Sequence, residues 1–87
     1  MRLITFEKNA FEEYQEWIEI DRKLAIRIGQ IIKDILRDPF TGIGKPEDLK
    51  GDFKGYWSRR INDEHRLIYK VTTDSIIIIS CYSHYNL

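Results

Sequence analysis

The sequence predicts an α+β domain: two N-terminal helices packed on one face of a mostly antiparallel β-sheet, in the order β-α-α-β-β-β. Three observations predict it. Apolar residues recur at helical spacing from Phe11 to Leu36. Three segments rich in β-branched and aromatic residues follow, divided by short polar turns. One short apolar run, Arg2–Phe6, precedes them all. The 87 residues form one domain, 1–87, whose core is sufficient without disulfides or a structural metal.

Each element has a local reason. Arg2–Phe6 reads as a first strand. Asn9 is placed as an N-cap, with Glu12 as its capping-box partner. Phe11, Tyr14, Trp17 and Ile18 then make an inward face, and Glu12, Glu13, Glu16 and Glu19 an outward one. Asp21 begins a second helix, with Leu24, Ile28, Ile31, Ile32, Ile35 and Leu36 as its apolar stripe. Asp38-Pro39 ends it, because a residue before proline disfavours the helical region. The stretch FTGIGKPEDLKGDFKG, Phe40–Gly55, contains four glycines and Pro46 and reads as one long loop. Strands are expected at Tyr56–Ile61, His65–Thr72 and Ser75–Tyr82, with IIIIS in the last as a central strand apolar on both faces.

Composition narrows the classes of function. Fourteen basic and 14 acidic residues balance to a formal charge of zero, so long-range attraction to nucleic acid is not expected. Any such role must come from local placement. One cysteine, Cys81, rules out an intrachain disulfide and offers no metal cluster. It is expected to be a small buried residue and not a nucleophile. No metal or cofactor is expected. Without a leader-like start or a long apolar run, the chain reads as cytoplasmic, with no membrane partner.

Alternate strand residues share a face. His65, Leu67, Tyr69 and Val71 are the more apolar set and should face the helices, leaving Arg66, Ile68, Lys70 and Thr72 on the open face. In the preceding strand, Tyr56, Ser58 and Arg60 are smaller and more polar than Trp57, Arg59 and Ile61, so Arg60 joins Arg66 there. Ile76, Ile78, Ser80, Tyr82 and His84 share parity in the last strand. His65, beside a turn on the inward parity, reads as structural. The open face thus collects Arg60, Arg66, Lys70, His84 and Tyr85, and the glycine-rich loop brings Glu47 and Lys50 to it. A carboxylate, a histidine, a tyrosine and several cations are what metal-free RNA cleavage needs. A base takes the 2′-hydroxyl proton, cations hold the phosphorane, and an acid protonates the leaving oxygen.

The motifs GKPE, WSRRI, EHRLIY and the terminal HY, in that order and with IIKDILRDPF before them, resemble the YoeB/Txe toxins of bacterial toxin–antitoxin systems, within the RelE superfamily, and so imply a RelE-like, microbial-RNase-like fold. The similarity spans essentially the whole chain. It implies a ribosome-dependent endoribonuclease that cuts mRNA in the ribosomal A site and is inhibited by a YefM/Axe-type antitoxin. It also implies a homodimer, and contact with operator DNA only through the antitoxin complex. Carried over by position, Glu47 is the general base, Arg66 stabilises the phosphorane, His84 is the general acid and Tyr85 orients substrate or aids His84. Lys50 and Arg60 match basic residues near the scissile phosphate. Arg59, of opposite parity, stands evenly between RNA or antitoxin contact and plain surface charge. Asn86 and Leu87 follow the HY pair, so Tyr85 is not terminal here. Two alternatives share the fold: a ParE-like toxin that inhibits DNA gyrase by binding, and an inactive antitoxin-binding co-repressor module. Neither needs an acid–base pair, so the Glu47/Arg66/His84 set argues against both.

Overall fold

The computed structural model describes residues 2–82. Its order is β1 (Leu3–Phe6), α1 (Lys8–Ile20), α2 (Arg22–Arg37), β2 (Glu47–Leu49), a 3-10 turn (Gly51–Phe53), β3 (Tyr56–Arg60), β4 (Arg66–Val71) and β5 (Ser75–Ser80). The strands form one sheet in the order β1-β5-β4-β3-β2. Only the β1–β5 pair is parallel. The fold is therefore α+β with a mostly antiparallel sheet. The expected long loop contains an additional element, the three-residue edge strand β2. EDL is too short and too polar to announce a strand by alternation.

Several local expectations change. Glu7, not Asn9, stands at the N-cap of α1, and its side chain forms no capping bond. Asn9 lies in the first turn, and its Nδ2 donates to the Ile79 carbonyl at 3.4 Å. Asp21 caps α2 as expected, its Oδ1 accepting from the Leu24 N–H at 3.3 Å. Phe11, Ile18 and Leu36 keep helical spacing but are exposed, because the sheet covers a narrower arc than the apolar stripe. Ala10 and Ala25 are buried instead, where a short side chain allows close approach. Glu13, placed outward by periodicity, accepts from the Cys81 N–H at 2.9 Å and the Ser80 hydroxyl at 3.1 Å, so it closes the end of β5.

The core lies between the helices and one sheet face. Ile28, Ile31 and Ile35 of α2 meet Leu67, Tyr69, Ile76 and Ile78 of the sheet. Fully burying one such side chain contributes roughly 1.5–3 kcal/mol. The parity expected for β3 and β4 holds: Leu67 and Tyr69 face this core, while Arg60 and Lys70 face away. Ile68, on the outward parity, is nevertheless buried. His65 belongs to the inner side, its ring 4.8 Å from Trp17 and 5.2 Å from Tyr82. Burial pushes the Cys81 thiol up to about 12, with a smaller push from the Glu13 carboxylate, as befits a packed and unreactive side chain.

The single parity assigned to the last strand does not hold. Ile68 pairs with Ser80 but Tyr69 pairs with Ile78, so Ile79 is an extra, bulged residue. Before the bulge the even residues Ile76 and Ile78 face the core; beyond it the odd residue Cys81 does.

Candidate active site

The open face of the sheet carries a cleft of about 340 Å³ lined by Lys45, Pro46, Glu47, Ser58, Arg60 and Arg66. Ladder geometry explains the grouping. Arg60 and Arg66 are direct cross-strand partners on β3 and β4. Glu47 is the direct partner of Ser58 across β2 and β3. Thus β2 delivers the carboxylate, β3 supplies the floor through buried Ser58, and β3 and β4 together supply two guanidiniums. Three cations and one carboxylate share the cleft. Among the described residues these four side chains form no ion pair, and only Arg66 forms hydrogen bonds, from Nη1 to the Asn62 carbonyl at 3.1 Å and the His65 carbonyl at 3.3 Å. Like charges set opposite each other are destabilising on a sheet. An anion in the cleft would relieve that cost.

The sequence-derived set is thus brought together in part. Glu47, Arg60 and Arg66 share the cleft. Lys50 lines an adjoining hollow of about 320 Å³, whose wall also includes Glu47. His84, Tyr85 and the Asn86-Leu87 tail lie outside the described residues. Lys70 is outside the cleft, its Nζ 5.7 Å from the ring centre of Tyr56. Two cleft residues escaped the sequence reading. Ser58 gave no signal beyond its outward parity. Lys45 stood inside GKPE, two residues before Glu47, where its position next to the expected base was the one available signal.

Arg59 is corrected outright. Its side chain has no exposed surface, so it contacts neither RNA nor antitoxin and is not surface charge. It turns inward and makes five hydrogen bonds, which account for the whole guanidinium fork. Nη1 donates to Asp34 Oδ2 at 2.6 Å and to the Ile43 carbonyl at 3.2 Å. Nη2 donates to the carbonyls of Asp38 at 2.7 Å and Thr41 at 3.0 Å. Nε donates to the Tyr69 hydroxyl at 3.1 Å, which in turn donates to the Pro39 carbonyl at 2.7 Å. One buried cation therefore ties the segment after α2 to the sheet.

Asp34 completes the arrangement. Hydrogen bonds from Arg37, the Ile43 N–H and Arg59 hold its carboxyl well below the usual carboxylate range, against a smaller opposing effect of burial. The segment then continues along β3. The Arg60 N–H donates to the Gly44 carbonyl at 2.6 Å. Gly44 has φ +78°, and a Cβ there would lie 2.9 Å from the Arg60 carbonyl oxygen. Glycine is needed on both counts. The buried network thereby positions the backbone that carries Lys45 and Glu47.

Residues 6–85 match the family described as the YoeB-like toxin of bacterial type II toxin–antitoxin systems. The chain belongs to this family. It is 56% identical over 82 residues to the toxin YoeB of Streptomyces coelicolor, covering 94% of this chain and 98% of that one. Its fold superimposes on the YoeB dimer from Staphylococcus aureus with a TM-score of 0.90 at 47% identity, covering 97% of this chain and 98% of that one. The toxin in the heterotetrameric YoeB–YefM toxin–antitoxin complex from Staphylococcus aureus matches with a TM-score of 0.87 at 48% identity, over 98% of this chain and all (100%) of that one. The family's members thus include a structurally defined dimer and a structurally defined antitoxin complex.

Proposed function

We propose that this toxin is a ribosome-dependent mRNA interferase, an endoribonuclease that cuts mRNA in the ribosomal A site. Glu47 takes the proton from the 2′-hydroxyl, which attacks the adjacent phosphate. Arg66, with Arg60 beside it, stabilises the phosphorane. His84 protonates the departing 5′-oxygen, and Tyr85 orients the substrate. Lys50 holds the strand beside the cleft. No metal is required, because the nucleophile belongs to the substrate. The observation that carries this reading is the cleft: one carboxylate among three cations that are not neutralised by any described acidic residue.

The net charge of zero fits an enzyme that takes its substrate positioning from the ribosome, since a free ribonuclease benefits from a strong basic field. The YoeB–YefM complex of the relative supports a YefM/Axe-type antitoxin as partner. That antitoxin neutralises the toxin, and operator DNA is reached only through their complex. The relative's dimer supports a homodimer. Action on ribosomes places the protein in the cytoplasm. No helix among the described residues is long and apolar enough to cross a membrane.

The test is primer extension on ribosomes programmed with a defined mRNA and an open A site, with free mRNA and a His84→Gln variant alongside. A new 5′ end within the A-site codon, dependent on ribosomes and lost in the variant, is expected. No cut by folded wild-type protein would sink the nuclease reading and direct the next assay to DNA supercoiling. Glu47→Ala should slow single-turnover cleavage less than Arg66→Ala, because water can stand in for a base but not for the cation on a phosphorane. The reverse order of rates would overturn that division of roles.

A further inference from the structure

Lys45 is the one non-glycine residue with positive φ among the described residues, at +52°. Gly42, Gly44, Gly51 and Gly55 take the other positive-φ positions. A side chain in this region carries a conformational cost that glycine avoids. Lys45 is also clamped on both sides. The Ile43 carbonyl accepts from Arg59, the Gly44 carbonyl accepts from the Arg60 N–H, Pro46 fixes its own φ, and Glu47 pairs with Ser58. Such strain persists where the surroundings over-determine it, typically where the side chain is used.

Backbone pairing says where Lys45 stands. The β2–β3 ladder ends at the Glu47–Ser58 pair; beyond it the Arg60 N–H bonds the carbonyl of Gly44, the residue before Lys45, and Arg60 is opposite Arg66. Lys45, Arg60 and Arg66 therefore come from three neighbouring chain segments and line one cleft. Three cations are more than one phosphate needs. Glu47 lines the same cleft, opposite Ser58. The Lys45 side chain is exposed in the cleft, and among the described residues it has no acidic partner.

We propose that Lys45 is a substrate-binding residue that grips the RNA backbone phosphate next to the scissile one, on the side of β3 away from Arg66. This rests on the nuclease reading and extends it. A flexible ammonium suits a neighbouring phosphate, which must be held but undergoes no change in bonding. Lys45 then sets affinity for the strand more than the rate of the chemical step, as expected of uniform binding.

The test compares wild type with Lys45→Gly, Lys45→Met and Lys45→Arg. Two readouts are needed: ribosome-dependent cleavage, and binding of the isolated protein to a non-cleavable 2′-O-methyl trinucleotide over a range of salt. Lys45→Gly keeps the backbone conformation available, so its Tm should equal or exceed that of wild type. Its affinity for the trinucleotide should fall roughly tenfold, as for one lost charge-assisted contact. The slope of log affinity against log salt should shrink by about 0.7, the share of one phosphate on a single strand. The loss in kcat/KM should sit in KM, and Lys45→Arg should retain most of the binding that Lys45→Met loses. Trinucleotide binding by Lys45→Gly with wild-type affinity and salt slope overturns the proposal, as does a loss confined to kcat. The two readings fail separately. A wild type that binds through Lys45 but never cuts removes the nuclease and leaves the phosphate site. A wild type that cuts, with a Lys45→Gly variant equal to it in both assays, removes the site and leaves the nuclease.

Discussion

Arg59 and Arg60 are neighbours on β3 with opposite fates. Strand alternation sends one guanidinium inward and the other into the cleft. Burying a cation is tolerable only when it is paired and its donors are bonded, and Arg59 meets both conditions through Asp34, three backbone carbonyls and Tyr69. Removing it leaves the part-buried carbonyls of Asp38 and Ile43 and the Tyr69 hydroxyl without their donor, while Asp34 keeps only Arg37 and the Ile43 N–H. Arg59→Met should therefore lower the free energy of unfolding by about 3–5 kcal/mol, the usual cost of breaking a buried pair. The exposed Arg60→Met should change it by only about 0.5 kcal/mol, as for a surface position. Urea denaturation of the two variants checks this, and equal effects would contradict the inward assignment of Arg59.

The segment between α2 and β3 is the element on which the cleft depends. It folds back on the sheet because Arg59 captures its carbonyls, and Gly42 and Gly44 let it pass close by. A Cβ on Gly42 would overlap the Asp34 carboxylate, and one on Gly44 would press on the Arg60 carbonyl. The segment then pairs with β3 for three residues, enough to place Glu47 over Ser58. Gly44→Ala should destabilise the protein by about 1–3 kcal/mol, the cost of forcing a side chain into a strained backbone region. It should also slow cleavage by shifting Lys45 and Glu47 together. Thermal unfolding with single-turnover kinetics on the same variant reads both, and unimpaired cleavage would mean that this backbone contact does not position the site.

Across the whole molecule, the Asp34–Arg59 pair is a polar link from α2 to the sheet beside an otherwise apolar core. Asp34 itself, held ionised chiefly by Arg37 and the Ile43 N–H and less by Arg59, gives stability a defined pH dependence. The Asp34 carboxyl titrates well below its unfolded value of about 3.9, so its contribution is complete above that value and is lost as the pH falls below it. Asp38 acts with the same sign, its carboxylate favoured by the Phe40 N–H and the Thr41 hydroxyl. Denaturation of wild type should show stability falling from about pH 5 towards pH 2, as expected for carboxylates held ionised in the native state. Asp34→Asn should be less stable at neutral pH and should show a shallower fall. An unchanged slope would remove Asp34 from the acid transition. On the same scale, the overall charge balance hides a local excess of cations, which is why composition argues against free nucleic-acid binding while the cleft favours a held phosphate.

Much of this was present in the linear chain. Helical periodicity, Asp21 as a cap, the Asp38-Pro39 stop and the alternation in EHRLIY determine two helices, the antiparallel strands and the outward placing of Arg60 and Arg66, because these are short-range properties of spacing and backbone sterics. The order of GKPE, WSRRI and EHRLIY marks the family. Tertiary structure alone decided the rest. Whether Arg59 is a surface charge or a buried anchor depends on Asp34, 25 residues away. Whether EDL is loop or strand depends on the β3 edge it meets. Which parity of the last strand faces inward depends on an extra residue, Ile79, opposite β4. Lys45 enters the cleft only because Arg59 and the Arg60 N–H hold the residues before it. Each of these is a long-range pairing, and a pattern of period 2 or 3.6 carries no information about which distant partner closes it.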